Sequence, residues 1–424
     1  MEGALRYTER ALKIDERVYG PEHPNVAIHA TNIGQILKDK GDLEGALRYT
    51  ERALKIDEKV HDPEHPNVAI HANNLGQILL AKGDLEGALR YTERALKIDE
   101  KVYGPEHPNV AIRATNIGQI LKAKGDLDGA LRQTERALKI AEKVYAPEHP
   151  SVAIHANNIG IILLAKGDLQ GALRYTERAL KIAEKVYGPE HPDVATGANN
   201  LGQILKAKGN LDGALWYTER ALKIDEKVYG PEHPNVARDA NNIGLILKAQ
   251  GDLEGALRYT QRALKIVEKV YGPEHPDVAT SANNIGIILF AKGDLQGALR
   301  YTQRALKMVE KVYGPEHPTV ATLANNLGQI LQTKGDLEGA LGYSERALKI
   351  DEKVYGPEHP EVATDANNIG QILQAKGDPE GALRYTERAV RILENKYGLD
   401  HPQTKIARKN LLAIREAAGK AEKR

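Results

Sequence analysis

One 42-residue element, GDLEGALRYTERALKIDEKVHDPEHPNVAIHANNLGQILLAK from Gly41 to Lys82, recurs with small changes along the whole 424-residue chain. Its turn glycine marks the register at Gly41, Gly83, Gly125, Gly167, Gly209, Gly251, Gly293, Gly335 and Gly377, with no insertion or deletion between them. A fixed period in this range makes each repeat one supersecondary unit that buries its apolar face only against its neighbours. The chain is therefore a stack of short units, and its function belongs on a long surface.

Within one repeat, Pro66 opens a segment in which Val68, Ala69, Ala72, Leu75, Ile78 and Leu79 fall at helical spacing. Proline suits the first helical position, and His65 or Asn67 is placed to cap the orphan N–H groups. Gly83 supplies a left-handed stop and Lys82 complements the dipole before it. This is helix A. Asp84 then caps helix B, whose Leu85, Ala88, Leu89, Ala95, Leu96, Ile98 and Val102 repeat at three-and-four spacing until Gly104-Pro105 breaks it. Glu93 and Lys97 are spaced for an i,i+4 ion pair. Gly76 and Ala88 are the small residues where the two helices approach closely, since a mid-helix glycine costs about 1 kcal/mol against alanine and needs a packing reason.

Acidic and basic residues nearly cancel, at a formal charge of +1, which argues against a nucleic-acid or membrane-surface partner. The chain has no cysteine, so disulfides and thiolate metal sites are excluded, and a reducing, cytoplasmic compartment is expected. No apolar run reaches the length of a membrane span, and the N-terminus shows no secretion signal.

Leu75-Gly76, Gly83-Asp84, Ala88 and Ala95 together resemble the tetratricopeptide signature. Ala72 and Thr92 depart from it, standing where aromatic residues are usual. The extension from Glu100 to Pro108, with Asn73-Asn74-Leu75, is similar to the long repeats of kinesin light chain and nephrocystin-type proteins. The resemblance implies an all-α, right-handed superhelical solenoid of antiparallel helix-turn-helix repeats. It covers the whole chain as one solenoid, about ten units starting at a helix B, with residues 401–424 forming a C-terminal capping helix and tail. Leu412 there replaces the packing glycine, and Lys405, Arg408, Lys409, Arg415 and Lys420 make that helix polar.

No catalytic constellation appears: no phosphate-cradling loop, serine elbow or paired metal-ligand histidines. Neither catalysis nor a cofactor is expected. The histidine of each Glu-His-Pro (His65, His107 and their equivalents) reads as a cap or turn residue, because equivalents in successive units lie too far apart to share a metal. The informative stripe runs along helix A, where Ile70, Asn73, Asn74, Gln77 and Leu80 fall on one side. The resemblance implies that this side lines a concave groove in which asparagines hold a ligand's main chain.

The expected peptide-binding residues are Asn74, Gln77, Asn116, Gln119, Asn158, Asn200, Gln203, Asn242, Asn284, Asn326 and Asn368. The apolar pairs Ile161 with Leu164 and Ile287 with Phe290 are expected to form side-chain pockets, and Lys122, Lys206, Lys248 and Arg238 to attract acidic residues. The position of His71 varies most between repeats (Arg113, Gly197, Asp239, Ser281, Leu323), as on a surface that reads partners. The competing assignment has the asparagines bonding between adjacent helices. Two other functions remain open: self-association through Ala4, Leu5, Ala11, Leu12 and Ile14 of the first helix, and a sensor array of a larger signalling NTPase.

Overall fold

The computed structural model describes residues 2–421, with the side chains of 3–417. Twenty α-helices and no strand occur among the described residues, alternating between helices A and B as the period requires. In the repeat built on Pro66–Lys82 and Leu85–Tyr103, each boundary has a local cause. His65 Nδ1 accepts from the Asn67 N–H at 3.2 Å, and Pro66 occupies the first turn. Gly83 closes helix A at φ 82°, in the left-handed region that an L side chain resists. Asp84 then accepts from the Gly87 N–H at 2.9 Å, so one turn ends the first helix and caps the second.

Gly76 explains how closely the helices pair. A Cβ built there would lie 2.3 Å from Thr92 Oγ1 and 3.0 Å from the Ala88 carbonyl oxygen. Thr92 is fully buried and donates to that same carbonyl at 2.8 Å. Threonine thus occupies the place where the signature has a larger residue, and glycine opposite gives it room. Val68, Ala69, Ala72 and Leu75 fill the space between the hairpin and its predecessor. At about 0.8 kcal/mol per buried CH₂, this apolar contact, repeated in each unit, holds the stack.

The helices form two compact units. One runs from the N-terminal helix to Ile162 and takes in Arg174–Gly188; the other comprises Leu163–Leu173 and residues from Pro189 onward. In each, charged residues of successive repeats pair with one another. Arg94 meets Glu58 at 2.5 Å and Lys82 meets Glu44 at 2.5 Å in the first unit; Lys227 meets Glu190 and Lys292 meets Glu254, both at 2.5 Å, in the second. The i,i+4 pairing expected of Glu93 with Lys97 does not form. The cations of this helix that do pair, Arg94 and Lys101, meet Glu58 and Glu64 of the preceding repeat.

The first helix, Glu2–Tyr19, leaves Ile14 50% exposed, whereas its equivalents Ile56 and Ile98 are each 5% exposed. The last, Pro402–Ala421, buries Ala407, Leu411 and Ile414 and exposes Leu412, where earlier repeats need glycine. The Lys420 side chain and residues 422–424 of the expected tail lie outside the described residues. No described helix is long and apolar enough to cross a membrane.

Candidate peptide-binding face

The helix A face is built in two layers, and the structure moves one expectation from the outer to the inner. The variable position of His71 is buried, not presented to a partner: Arg113, His155, Gly197, Asp239, Ser281, Leu323 and Asp365 are all covered. His71, Arg113, Asp239 and Asp365 meet the helix B residue fourteen positions earlier. His71 Nε2 lies 2.9 Å from Asp57, and Arg113 Nε donates to Asp99 at 2.9 Å. Where the helix B residue is Val309, the facing residue is Leu323. The variation is therefore complementary packing inside the stack, because a buried polar group needs its partner and an apolar one needs none.

The asparagines connect this layer to the surface. Thr31, Thr115, Asn199, Asn241 and Asn325 reach forward to the variable residue of the next repeat. Thr31 meets His71 and Thr115 meets His155, both at 2.9 Å, and Asn199 donates to Asp239 at 3.0 Å. The next asparagine along then donates back across the helices. Asn116 donates to Asn73 at 2.7 Å, Asn242 to Asn199 at 2.9 Å, Asn326 to Asn283 at 2.9 Å, and Asn368 to Asn325 at 3.4 Å. Asparagine's poor helix propensity is thus offset at these positions by bonds between repeats. Asn74, Asn158 and Asn284 make no such bond, and Asn200 is engaged within the protein.

Beside the asparagines, Gln77, Gln203, Ile161, Leu164, Ile287 and Phe290 are half-buried, and Gln119 is exposed. The Nε2 groups of Gln77 and Gln203 are buried with no protein partner. Lys122 and Lys206 also lie here, and burial pushes both ammonium groups below the usual lysine range, helped at Lys206 by Lys248. Neither lysine has an ion-pair partner, in contrast to Arg94, Lys101 and Lys82. A row that the sequence reading did not follow beyond Ile70 lies alongside. Ile28, Ile70, Ile112 and Ile154 are 45–59% exposed in the first unit, and the same position reads Thr196, Arg238, Thr280, Thr322 and Thr364 in the second. The period alone would have exposed it, since it groups like positions.

In the second unit this face holds a cavity of about 350 Å³ between the helices Pro234–Gln250 and Pro276–Lys292. Arg238, Asn241, Asn242, Thr280 and Asn284 line it, over a floor that includes Tyr271. It brings together the expected residues Asn242, Asn284 and Arg238. The cavity lies toward the N-terminal halves of these helices, on the other side of Asn284 from the Ile287 and Phe290 pair.

Sequence comparison matches the tetratricopeptide repeat model in overlapping stretches that run from 1–59 through 151–225 to 319–395. The chain belongs to the tetratricopeptide repeat family. No curated protein matches it. Among solved structures it is similar to the Rap conjugation gene regulator of plasmid pLS20 in complex with the Phr* peptide, at 17% identity and TM-score 0.55, over 83% of this chain and 95% of that one. The apo form of RapI matches at 18% identity and TM-score 0.50, over 68% and 98%. A putative kinesin light chain from Podosopora anserina with nearly identical TPR-like repeats matches at 23% identity and TM-score 0.41, over 49% and 98%.

The charged groups of this tetratricopeptide array are mostly committed to its own structure. The histidines of the Glu-His-Pro turns accept through Nδ1 as helix caps and stack on a preceding ring, as His107 does on Tyr103 at 4.4 Å and His65 on His61 at 4.2 Å. Arg238 Nη2 spans the buried carboxylates Asp225 and Asp239 at 3.2 and 3.0 Å. Burial raises both carboxyls, which Arg238 opposes. What remains uncommitted on the helix A face is amides, isoleucines and lysines.

Proposed function

We propose that this tetratricopeptide repeat chain is a non-catalytic scaffold that binds a peptide segment along its helix A face. The contrast between its two sets of cations carries the reading. Cations such as Arg94, Arg262 and Lys101 are neutralised from repeat to repeat, while Lys122 and Lys206 sit unpaired in crowded surroundings that depress their pKa. Desolvating an ammonium without a counter-charge is unfavourable, and an incoming carboxylate relieves it. The open amides of Asn74, Asn158 and Asn284 supply donors and acceptors for extended backbone. The first unit's isoleucine row suits an apolar segment, and the second unit's threonines and lysines suit a polar, acidic one. A rigid array loses little freedom on binding, which favours affinity. A regulator of similar fold holds a peptide, which agrees with this reading.

The test is binding of fluorescent acid-rich and base-rich peptides to the wild-type chain and to the Lys206→Glu, Lys248→Glu double variant. Acid-rich peptides should bind at low salt and lose affinity at least about tenfold in the variant. Equal binding of both peptide classes to both proteins would sink the proposal.

One observation favours a second reading, association of two copies through the first helix. Ile14 is half exposed there where its equivalents are buried. Sedimentation of the wild type and of Ile14→Glu decides it: a mass that rises with concentration only in the wild type supports association, and a monomer throughout removes it.

A further inference from the structure

The asparagine ladder also breaks at Asn284, where the facing residue is an asparagine, Asn241, and not a threonine as it is for Asn74 and Asn158, and this break coincides with the cavity in the second unit. In the rungs on either side, Asn242 donates to Asn199 and Asn326 donates to Asn283. Between them, Asn284 would donate to Asn241, but that bond is absent. Asn241 is 9% exposed and its Oδ1 is buried with no partner. Its Nδ2 instead donates to Ser281 Oγ at 2.9 Å.

Ser281 is the cause. Asp239 and Asp365 hold the equivalent place in other repeats and accept from Asn199 and Asn325. Serine is shorter, so Asn241 must reach further inward to meet it, away from Asn284. Turning the Asn241 amide over does not help, because a single hydroxyl can satisfy only one end of it. A buried amide edge left without a partner is costly and rare in folded proteins.

We propose that this cavity is a specificity subsite for a side-chain carboxamide, glutamine or asparagine, of the bound peptide; the inference rests on the peptide-binding reading above. A carboxamide has the matching pair of groups. Its NH₂ donates to Asn241 Oδ1, and its carbonyl oxygen accepts from the unpaired Asn284 amide. A carboxylate has no donor for Asn241 and is opposed at the rim by Asp277. Arg238 does not reverse this preference, because Asp225 and Asp239 already neutralise its guanidinium. A methionine of similar length would leave both amides unsatisfied. Asn284 contributes no bond to the fold, so it is free to read the ligand.

The experiment uses the full chain and acetylated acid-rich peptides with a free C-terminal carboxylate, differing only at a central residue: Gln, Asn, Glu, Met or Ala. The glutamine or asparagine peptide should bind about tenfold more tightly than the Glu, Met and Ala peptides. Asn284→Ala should abolish that preference, so that the glutamine, asparagine and alanine peptides bind the variant equally, without lowering the melting temperature. Equal affinities across the series, as main-chain capture would give, or tighter binding of glutamate, would overturn the subsite and leave peptide binding standing. If no peptide binds, the peptide reading falls, and propionamide becomes the probe. Saturable shifts of the Asn241 and Asn284 side-chain NH₂ resonances with propionamide but not propionate would uphold the carboxamide site, and their absence would overturn it.

Discussion

Asp57 Oδ2 and His71 Nε2 lie 2.9 Å apart, joining helix B of one repeat to helix A of the next beneath the surface. In the repeat starting at Gly125 the aspartate's place is taken by Ala141, yet His155 stays, 6% exposed and 2.9 Å from Thr115. Burial pushes the His155 imidazole down from 6.5 to about 4. The folded chain therefore takes up this proton less readily than the unfolded one. The neutral imidazole's contribution is complete above about pH 6.5 and is lost as pH falls toward 4, on the order of 3 kcal/mol in all. Ala141→Asp should supply the missing counter-charge, raise the His155 pKa in an NMR titration, and reduce the acid sensitivity of the melting temperature.

The pair Asp351 and Asp365 has the opposite sign. Both carboxyls are raised, first by burial and at Asp351 next by the neighbouring Asp365 charge, and no arginine bridges them as Arg238 bridges the other acid pair. The folded state retains a proton that the unfolded chain releases near pH 4, so stability falls as pH rises above that value. Asp351→Asn should flatten this decline and stabilise the protein at pH 8 by about 1–3 kcal/mol, read by urea unfolding. Arg238→Ala should deepen the same alkaline sensitivity at Asp225 and Asp239, whose carboxyls burial already raises.

Two glycines should respond in opposite directions to alanine. At Gly244 the new Cβ would lie 2.3 Å from Thr260 Oγ1 and 3.0 Å from the Ala256 carbonyl oxygen. Helix propensity favours alanine by about 1 kcal/mol, but overpacking against backbone costs about 1–3 kcal/mol and wins. At Gly342 a Cβ meets nothing within 4 Å, so alanine should stabilise by up to about 1 kcal/mol. Thermal melts of the two single variants check both signs.

The asparagines divide the same way. Asn116→Ala removes the bond to Asn73 and should lower stability by about 1 kcal/mol. Asn74→Ala removes none and should leave stability equal or slightly higher, because alanine is the better helix former. Loss of peptide affinity in Asn74→Ala at unchanged stability would separate recognition from scaffold.

Much of the fold was legible because its causes are local and repeated. Gly83, Asp84, His65 and Gly76 act within a few residues or on the next helix, and the 42-residue period states which neighbour each helix meets. The site was less legible. Asn242, Asn284 and Arg238 line one cavity on the helix A face, but the His71 position, whose variation suits a partner-reading surface in sequence, is buried. Helical spacing could not show that this position turns toward the preceding helix B, where Asp57, Asp99 and Asp225 await it. The Ile28 to Ile154 row was visible in the period but was not followed past Ile70.

The sequence by itself determined the repeat, its helix boundaries and its family, because capping, turn glycines and apolar spacing are properties of neighbours along the chain. The tertiary structure alone decided which polar residues are consumed by packing and which are left to bind. Asn116 and Asn284 are the same residue at the same repeat position, and no local rule distinguishes them. One bonds to Asn73, while the other loses Asn241 to Ser281, 40 residues ahead of that asparagine. Hydrogen-bond partnership between helices depends on side-chain reach across the stack, which only the packed arrangement fixes.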